Sequence, residues 1–229
     1  EVTPPFMRWN SAFLEPAGPF EKVEGSYYYL SPPDPSWSKE VQESYLPYAG
    51  DLLATSVHEV YPGHFVHSLT TRRAASRVQK IFGSYAFTEG WAHYAEQMML
   101  DEGFRADDPR YRMAQASEAL TRICRLLSGI RLHTGEWTVD QAAALFESRA
   151  HLPAPAARQE AERGTYDPTY GGYFLGKMAM LKLRDDVKAV RGAAFSLREF
   201  HEQVMRNGIA PLWAHRQLLL PGDTAPVLQ

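Results

Sequence analysis

One short stretch combines the residue types that hold a metal ion and activate water. Thr55-Ser56-Val57-His58-Glu59-Val60-Tyr61-Pro62-Gly63-His64 sets two imidazoles around a glutamate. It lies in an apolar run of Leu52, Leu53, Ala54, Val57 and Val60, continued by Phe65, Val66 and Leu69. Imidazole nitrogens bind zinc, and a neighbouring glutamate works on the coordinated water, as in the H-E-x-x-H hydrolases. Here four residues, not two, separate Glu59 from His64. On a regular helix of about 100° per residue, six steps put His64 roughly 240° round from His58, and the imidazoles miss one another. Pro62-Gly63 alters that expectation. Proline removes a helix hydrogen bond and collides with the preceding turn, so a kink, bulge or 3₁₀ stretch is expected at residues 61–63. Two 3₁₀ turns would return both histidines to one face. A helix that merely carries two histidines and breaks at Pro-Gly fits the same residues.

A zinc site of this kind takes a third protein ligand and leaves a fourth position for water. Thr88-Glu89-Gly90-Trp91-Ala92-His93-Tyr94-Ala95-Glu96 offers one, on a helix where Glu89 and Glu96 share nearly the same face. Glu89 stands among Tyr85, Phe87, Trp91 and Tyr94, and a carboxylate in such company calls for a charged partner. An amphipathic helix with solvated carboxylates is the plainer account. His93, four residues after Glu89, is the rival ligand.

Three segments in order, H-E-x-Y-P-G-H, E-G-W-A-x-Y-x-E and D-P-x-Y-x-x-Y-x-x-G-K, resemble the catalytic half of the bacterial family named domain of unknown function 885. The likeness runs from about Pro4 to about Leu220. Members of that family are generally regarded as metallopeptidases. The Glu-Gly-Trp-Ala segment is also similar to the Asn-Glu-Gly-Phe-Ala segment of gluzincin aminopeptidases, whose glutamate is the third zinc ligand. The resemblance implies His58, His64 and Glu89 as ligands of one Zn²⁺ (or another divalent ion) and Glu59 as general base. The chain departs from the family at His67, where members often have Gln, and near Gly129, where they often have Asp. The resemblance also implies a mainly α, multi-helix zincin-like domain, and a full-length protein about twice this length with a helical half preceding this one. That missing N-terminal half is then a partner, and the opening Glu-Val-Thr-Pro-Pro reads as a cut inside a longer chain.

Further residues are candidates to complete the site. In Arg163-Gly164-Thr165-Tyr166-Asp167-Pro168-Thr169-Tyr170-Gly171-Gly172-Tyr173, a tyrosine hydroxyl could hold the oxyanion that forms as a carbonyl becomes tetrahedral. By the family pattern Tyr173 comes first and Tyr170 second; packing under a glycine turn is the alternative for each. His133 ends a helix carrying Arg122, Arg125 and Arg131, where it either faces the site or complements the helix dipole. His67 is expected to be partly exposed, His151, His201 and His215 to be structural, and Lys177 and Arg184 to lie on a solvated face.

These residues sit in an ordinary globular composition. The chain has 229 residues, 45% hydrophobic and 22% charged, which suits one domain with a sizeable core. A net charge of −3 with dispersed Lys and Arg gives no field for nucleic acid. No apolar run approaches the roughly 20 residues needed to span a membrane. The single Cys124 excludes an intrachain disulfide. Location is left open, because a signal peptide cannot be judged from this N-terminus.

Residues 1–35 hold seven of the sixteen prolines and read as irregular, apart from a strand or hairpin element at residues 23–30. If extended, it could offer backbone hydrogen bonds to a substrate strand. Helices are expected at 36–48, 51–73, 85–102, 109–133, 138 onward, 170–190, 196–206 and 212–219, with a Pro/Ala linker at 152–157. In the helix from Pro109, the positions Met113, Ala116, Leu120, Ile123, Leu127 and Ile130 recur at helical spacing. The expected activity is hydrolysis of peptide or small amide bonds. A metal-dependent amidase or esterase on a non-peptide substrate, or an inactive helical binding module, are the alternatives.

Overall fold

The computed structural model describes residues 1–8, 11–22 and 25–228. The architecture is mainly helical, with one two-stranded antiparallel hairpin of β1 (Ala12–Glu15) and β2 (Tyr27–Leu30). α1 (Lys39–Tyr45), α2 (Ala49–Glu59), α3 (His64–Thr71) and α4 (Arg77–Ile81) lead to the long α5 (Tyr85–Asp101) and α6 (Pro109–His133). α7 (Val139–Arg149), α8 (Ala154–Tyr166), α9 (Gly172–Arg191), α10 (Leu197–Arg206) and α11 (Leu212–Leu219) complete the chain.

Several helices begin where side chains satisfy the free backbone amides of the first turn. Ser84 accepts from the amide of Phe87 at the start of α5. Asp108 accepts from Arg110 and is followed by Pro109 on α6, and Thr138 forms a reciprocal box with Gln141 on α7. The core is centred on α5 against α9. Phe87, Trp91 and Tyr94 meet Met180, Leu183 and Val187, and Phe200 and Val204 of α10 close that cluster. Burying side chains such as Phe87, Met180 and Leu183 is worth roughly 1.5–3 kcal/mol each. Two glycines let the helices touch backbone to backbone. A Cβ on Gly176 would lie 1.8 Å from the carbonyl oxygen of Ala86, and one on Gly90 would lie 2.4 Å from the carbonyl carbon of Gly176. The contact sets Glu89 of α5 beside Tyr173 of α9.

The expected helix at 51–73 is two helices. α2 ends at Glu59, a bend with a cis Tyr61-Pro62 peptide follows, and α3 restarts at His64. The expected linker at 152–157 is mostly helix: the prolines fall at Pro153, the N-cap of α8, and Pro155 in its first turn, where no amide is needed. β1 and the short α4 are also additions to the expectation. In the expected strand, Tyr27–Leu30 is β2, while Val23 and Glu24 lie outside the described residues.

The apolar stripe of α6 has the expected period but faces outward: Met113, Leu120, Leu127 and Ile130 are exposed. The buried face of α6 is instead Tyr111, Ala114, Gln115, Thr121, Arg122, Cys124, Ser128 and Gly129. Small and polar side chains occupy it because that face carries a cation, Arg122, towards the buried centre of the molecule.

Candidate metal centre

His58 and Glu59 close the last turn of α2, and His64 opens α3. The two helices are drawn together by residues 60–63. The amide of Gly63 donates to the carbonyl of Val57 at 3.1 Å, and the indole of Trp91 donates to the carbonyl of Pro62 at 3.1 Å. The approach is so close that a Cβ on Gly63 would lie 1.6 Å from the carbonyl oxygen of His58. As a result the imidazoles of His58 and His64 stand edge to face with centroids 4.8 Å apart.

α5 completes the cluster. Oε2 of Glu89 lies 3.4 Å from Nε2 of His58 and 3.2 Å from Nε2 of His64. Ligand atoms of all three lie within 4.8 Å of one another. Among the described residues, Oε2 of Glu89 is buried without a hydrogen-bond partner of acceptable geometry. An ion holding ligands at about 2.1 Å in a tetrahedral array needs ligand pairs roughly 3.4 Å apart. Two edges of this triangle already have that length, and the His₂Glu donor set is one that zinc accepts.

Glu96, one further apolar-lined stretch along α5, orients this cluster. Its fully buried carboxylate accepts from Nδ1 of His58 at 2.7 Å and from Nδ1 of His93 at 3.1 Å, and pairs with Arg122 at 3.1 Å. Burial favours the neutral acid, but Arg122 and His93 outweigh it and hold Glu96 well below the usual carboxylate range. A charged Glu96 fixes the proton on Nδ1 of His58 and leaves Nε2 to face Glu89 and His64. Burial and Arg122 push His58 down, yet Glu89 and Glu96 prevail and raise it to about 9. The two carboxylates thus favour the protonated imidazole, and an ion bound at Nε2 would have to displace that proton. His93 is not a rival ligand here: it lies behind Glu96, buried, and outside the triangle.

The three residues open onto a cavity of about 430 Å³. Glu59 lines it and is raised by burial, an effect that His58 and His64 partly offset. Among the described residues no hydrogen bond restrains its carboxylate. Tyr173 lines the same cavity, its ring stacked 6.3 Å from that of His58. Its hydroxyl accepts from Tyr85 at 2.9 Å and from Arg163 at 2.9 Å. Burial and Glu89 raise Tyr173, against Arg163 and Arg125, so it remains a protonated donor. Ser11, Ala12, Phe13 and Leu14, at and just before β1, form another wall, with β2 behind them. The strand beside the cluster is thus β1 rather than the expected element at 23–30.

The structure brings His58, Glu59, His64, Glu89 and Tyr173 together and leaves two other candidates out. Tyr170 is fully buried against α8, its hydroxyl held by the carbonyl and carboxylate of Glu160, so it cannot reach the cavity. Nε2 of His133 bonds the carbonyl of Gly164 at 2.9 Å and ties α6 to α8. His67 is buried, not partly exposed, and burial beside His64 lowers it to about 3. Lys177 is buried too, on the α9 face turned towards Glu96 and Arg122 rather than solvent. Tyr85, Arg122 and Arg163 had no distinct role in the sequence. The available signal was position: Tyr85 is one helical turn before Glu89, and Arg122 interrupts a helix face of small residues.

Fold and site together define a helical protein with a largely buried His₂Glu cluster at the wall of a polar chamber. The chain belongs to a family known as bacterial protein of unknown function (DUF885), whose model matches residues 1–218. No curated protein matches it. It is similar to a solved "putative lipoprotein of unknown function" from Shewanella oneidensis, with 32% identity and a TM-score of 0.80 over 92% of this chain and 39% of that one. A "putative lipoprotein" from Colwellia psychrerythraea shares 25% identity with a TM-score of 0.84, over 96% of this chain and 37% of that one. The chain thus spans about two fifths of either relative. Among the described residues no helix is long and apolar enough to cross a membrane.

Proposed function

We propose that the chain is the catalytic part of a divalent-metal-dependent hydrolase that acts on peptide bonds, with zinc as the ion. The observation that carries this reading is the convergence of Nε2 of His58 and Nε2 of His64 on one carboxylate oxygen of Glu89, at 3.4 and 3.2 Å, beside a carboxylate that orients His58 from behind. When bound, the ion would supply Lewis acidity and bring the pKa of a water towards neutrality.

The other roles fall to the chain's own residues. Glu59, raised by burial and lining the cavity, is poised to take a proton from the attacking water and return it to the departing amine. The Tyr173 hydroxyl, set by Arg163 and Tyr85, is the donor placed to meet the oxyanion as the carbonyl becomes tetrahedral. β1 favours an extended substrate, because among the described residues only β2 pairs with it and Ala12, Phe13 and Leu14 line the cavity.

The test is metal content by elemental analysis, followed by a peptide library offered to the zinc-loaded protein and to Glu59→Gln. One zinc per chain, with cleavage by the parent and a loss of two or more orders of magnitude in Glu59→Gln, is expected. Turnover of simple amides or esters but of no peptide would move the reading to an amidase or esterase. Absence of zinc would leave a helical binding module.

A further inference from the structure

A second cavity, of about 350 Å³, shares Leu14, His64 and Glu89 with the first, so the cluster is flanked by both. Their chemistry differs. The first is walled by charges: Arg122, Arg125 and Arg163 face Glu118, Glu160 and Asp167. The second is walled mainly by Leu14, Pro16, Ala17, Pro19 and Ile209, with Ser68 of α3 among its polar residues. Among the described residues Lys80 is the charged side chain it holds beyond the site's own. The ammonium of Lys80 lies 5.6 Å over the ring of Phe20, which engages its charge.

The apolar wall is also fixed in place. Arg72 of the segment after α3 donates to the carbonyls of Gly18 at 2.8 Å and Glu21 at 2.5 Å, clamping the loop that follows β1. Pro16 and Pro19 restrict the same loop's backbone. A rigid, mostly apolar hollow beside a reacting centre removes apolar surface from water without first having to collapse around it.

We infer that this cavity is the subsite for an apolar side chain, of leucine, methionine or phenylalanine size, on the residue flanking the scissile bond. The inference rests on the metal-hydrolase reading and adds to it the class of substrate. The carbonyl under attack would sit at the His58–His64–Glu89 cluster, with its apolar neighbour in the second chamber and the polar remainder in the first.

The probes are glycine hydroxamate and leucine hydroxamate, which share a metal-chelating head and differ only by an isobutyl group. Their affinities for the zinc-loaded chain are measured by calorimetry. Burying that group predicts that leucine hydroxamate binds roughly 10- to 100-fold more tightly. Ala17→Phe and Ser68→Phe, each projecting a ring into the second cavity from a different wall, should cut the leucine-to-glycine ratio to below about three. The two variants are compared with the parent at equal zinc content, and either one that folds suffices. Equal affinity of the two hydroxamates for the parent would overturn the subsite alone, as would a ratio that survives the filling substitutions. Failure of both compounds to bind would overturn the metal centre itself, and the subsite with it.

Discussion

Gly63→Ala is the most revealing single substitution. Gly63 has φ −69°, so it is not a left-handed φ that calls for glycine here. The steric requirement is plain: the added methyl would lie 1.6 Å from the oxygen and 2.4 Å from the carbon of the His58 carbonyl. Ordinary contact begins near 3.4 Å, so the deficit is about 1.8 Å, and both obstructing atoms are backbone. Only a shift of the end of α2 against the start of α3 relieves it. That displacement separates His58 from His64, whereas metal–ligand distances tolerate only about 0.2 Å. Loss of one ligand of three should weaken zinc binding by the order of 10²-fold or more, since even supporting residues around metal ligands are worth about 10- to 100-fold. The assay is zinc affinity by competition with a chromophoric chelator, alongside circular dichroism to confirm that the helices persist. As a graded comparison, Trp91→Phe removes the bond to the Pro62 carbonyl, worth about 1 kcal/mol, along with part of a buried ring. It leaves the Gly63 approach itself unobstructed, so it should weaken zinc less than Gly63→Ala does. If Gly63→Ala binds zinc within a factor of about three of the parent, the close approach is not what aims His64, and the reasoning fails.

Glu96→Gln keeps the shape of the side chain behind His58 but gives up its charge, and it should lower stability by leaving Arg122 less well paired. Zinc affinity, measured where circular dichroism shows the variant folded, should fall roughly 10- to 100-fold; an unchanged affinity would remove Glu96 from the centre. Tyr173→Phe deletes the hydroxyl and should lower kcat by about 10²–10³-fold with little change in KM, read on whichever peptide the parent cleaves; a change confined to KM would make Tyr173 a binding group instead. Acid should destabilise the chain through its buried neutral histidines. Burial and Arg184 lower His201 to about 4, and burial lowers His215 to about 4. The unfolded chain takes up these protons first as pH drops below about 6.5, so the contribution present above that value is lost as pH falls towards 4. The unfolding midpoint should therefore drop between pH 7 and pH 5, and His201→Gln, which keeps an acceptor for the Tyr94 hydroxyl, should flatten that drop. Parallel slopes for parent and variant would show that His201 does not titrate in this way.

The spacing of polar and apolar residues carried much of this structure in plain view. Asp108-Pro109 and Thr138-x-x-Gln141 mark helix starts because capping is local, and the chain obeys them. The break at Pro62-Gly63 was legible for the same reason. Its form was not: a single distorted helix and two separate helices satisfy proline equally, and the choice depends on Trp91, twenty-nine residues on, reaching the Pro62 carbonyl. Tertiary contacts likewise decide what α6 buries. Period alone selects the stripe of Met113, Leu120, Leu127 and Ile130, but the core takes the side bearing Arg122, because the buried charge of Glu96 needs a partner. The grouping of His58, His64 and Glu89 could be expected from sequence because all three lie in the dense local patterns that carry the family resemblance. The family pattern puts Tyr173 ahead of Tyr170, but spacing and composition alone do not separate them. They stand three residues apart beside the same glycines, and only the packing of α8 turns one hydroxyl to Glu160 and leaves the other at the cavity.

The most direct test of the central claim is a crystal of the zinc-soaked chain, with anomalous data collected on both sides of the zinc edge. The account predicts one anomalous peak per chain, within about 2.0–2.2 Å of Nε2 of His58, Nε2 of His64 and a carboxylate oxygen of Glu89, and its disappearance in Glu89→Ala. A peak at His93 or elsewhere, or one that persists undiminished at the same place in Glu89→Ala, would contradict it.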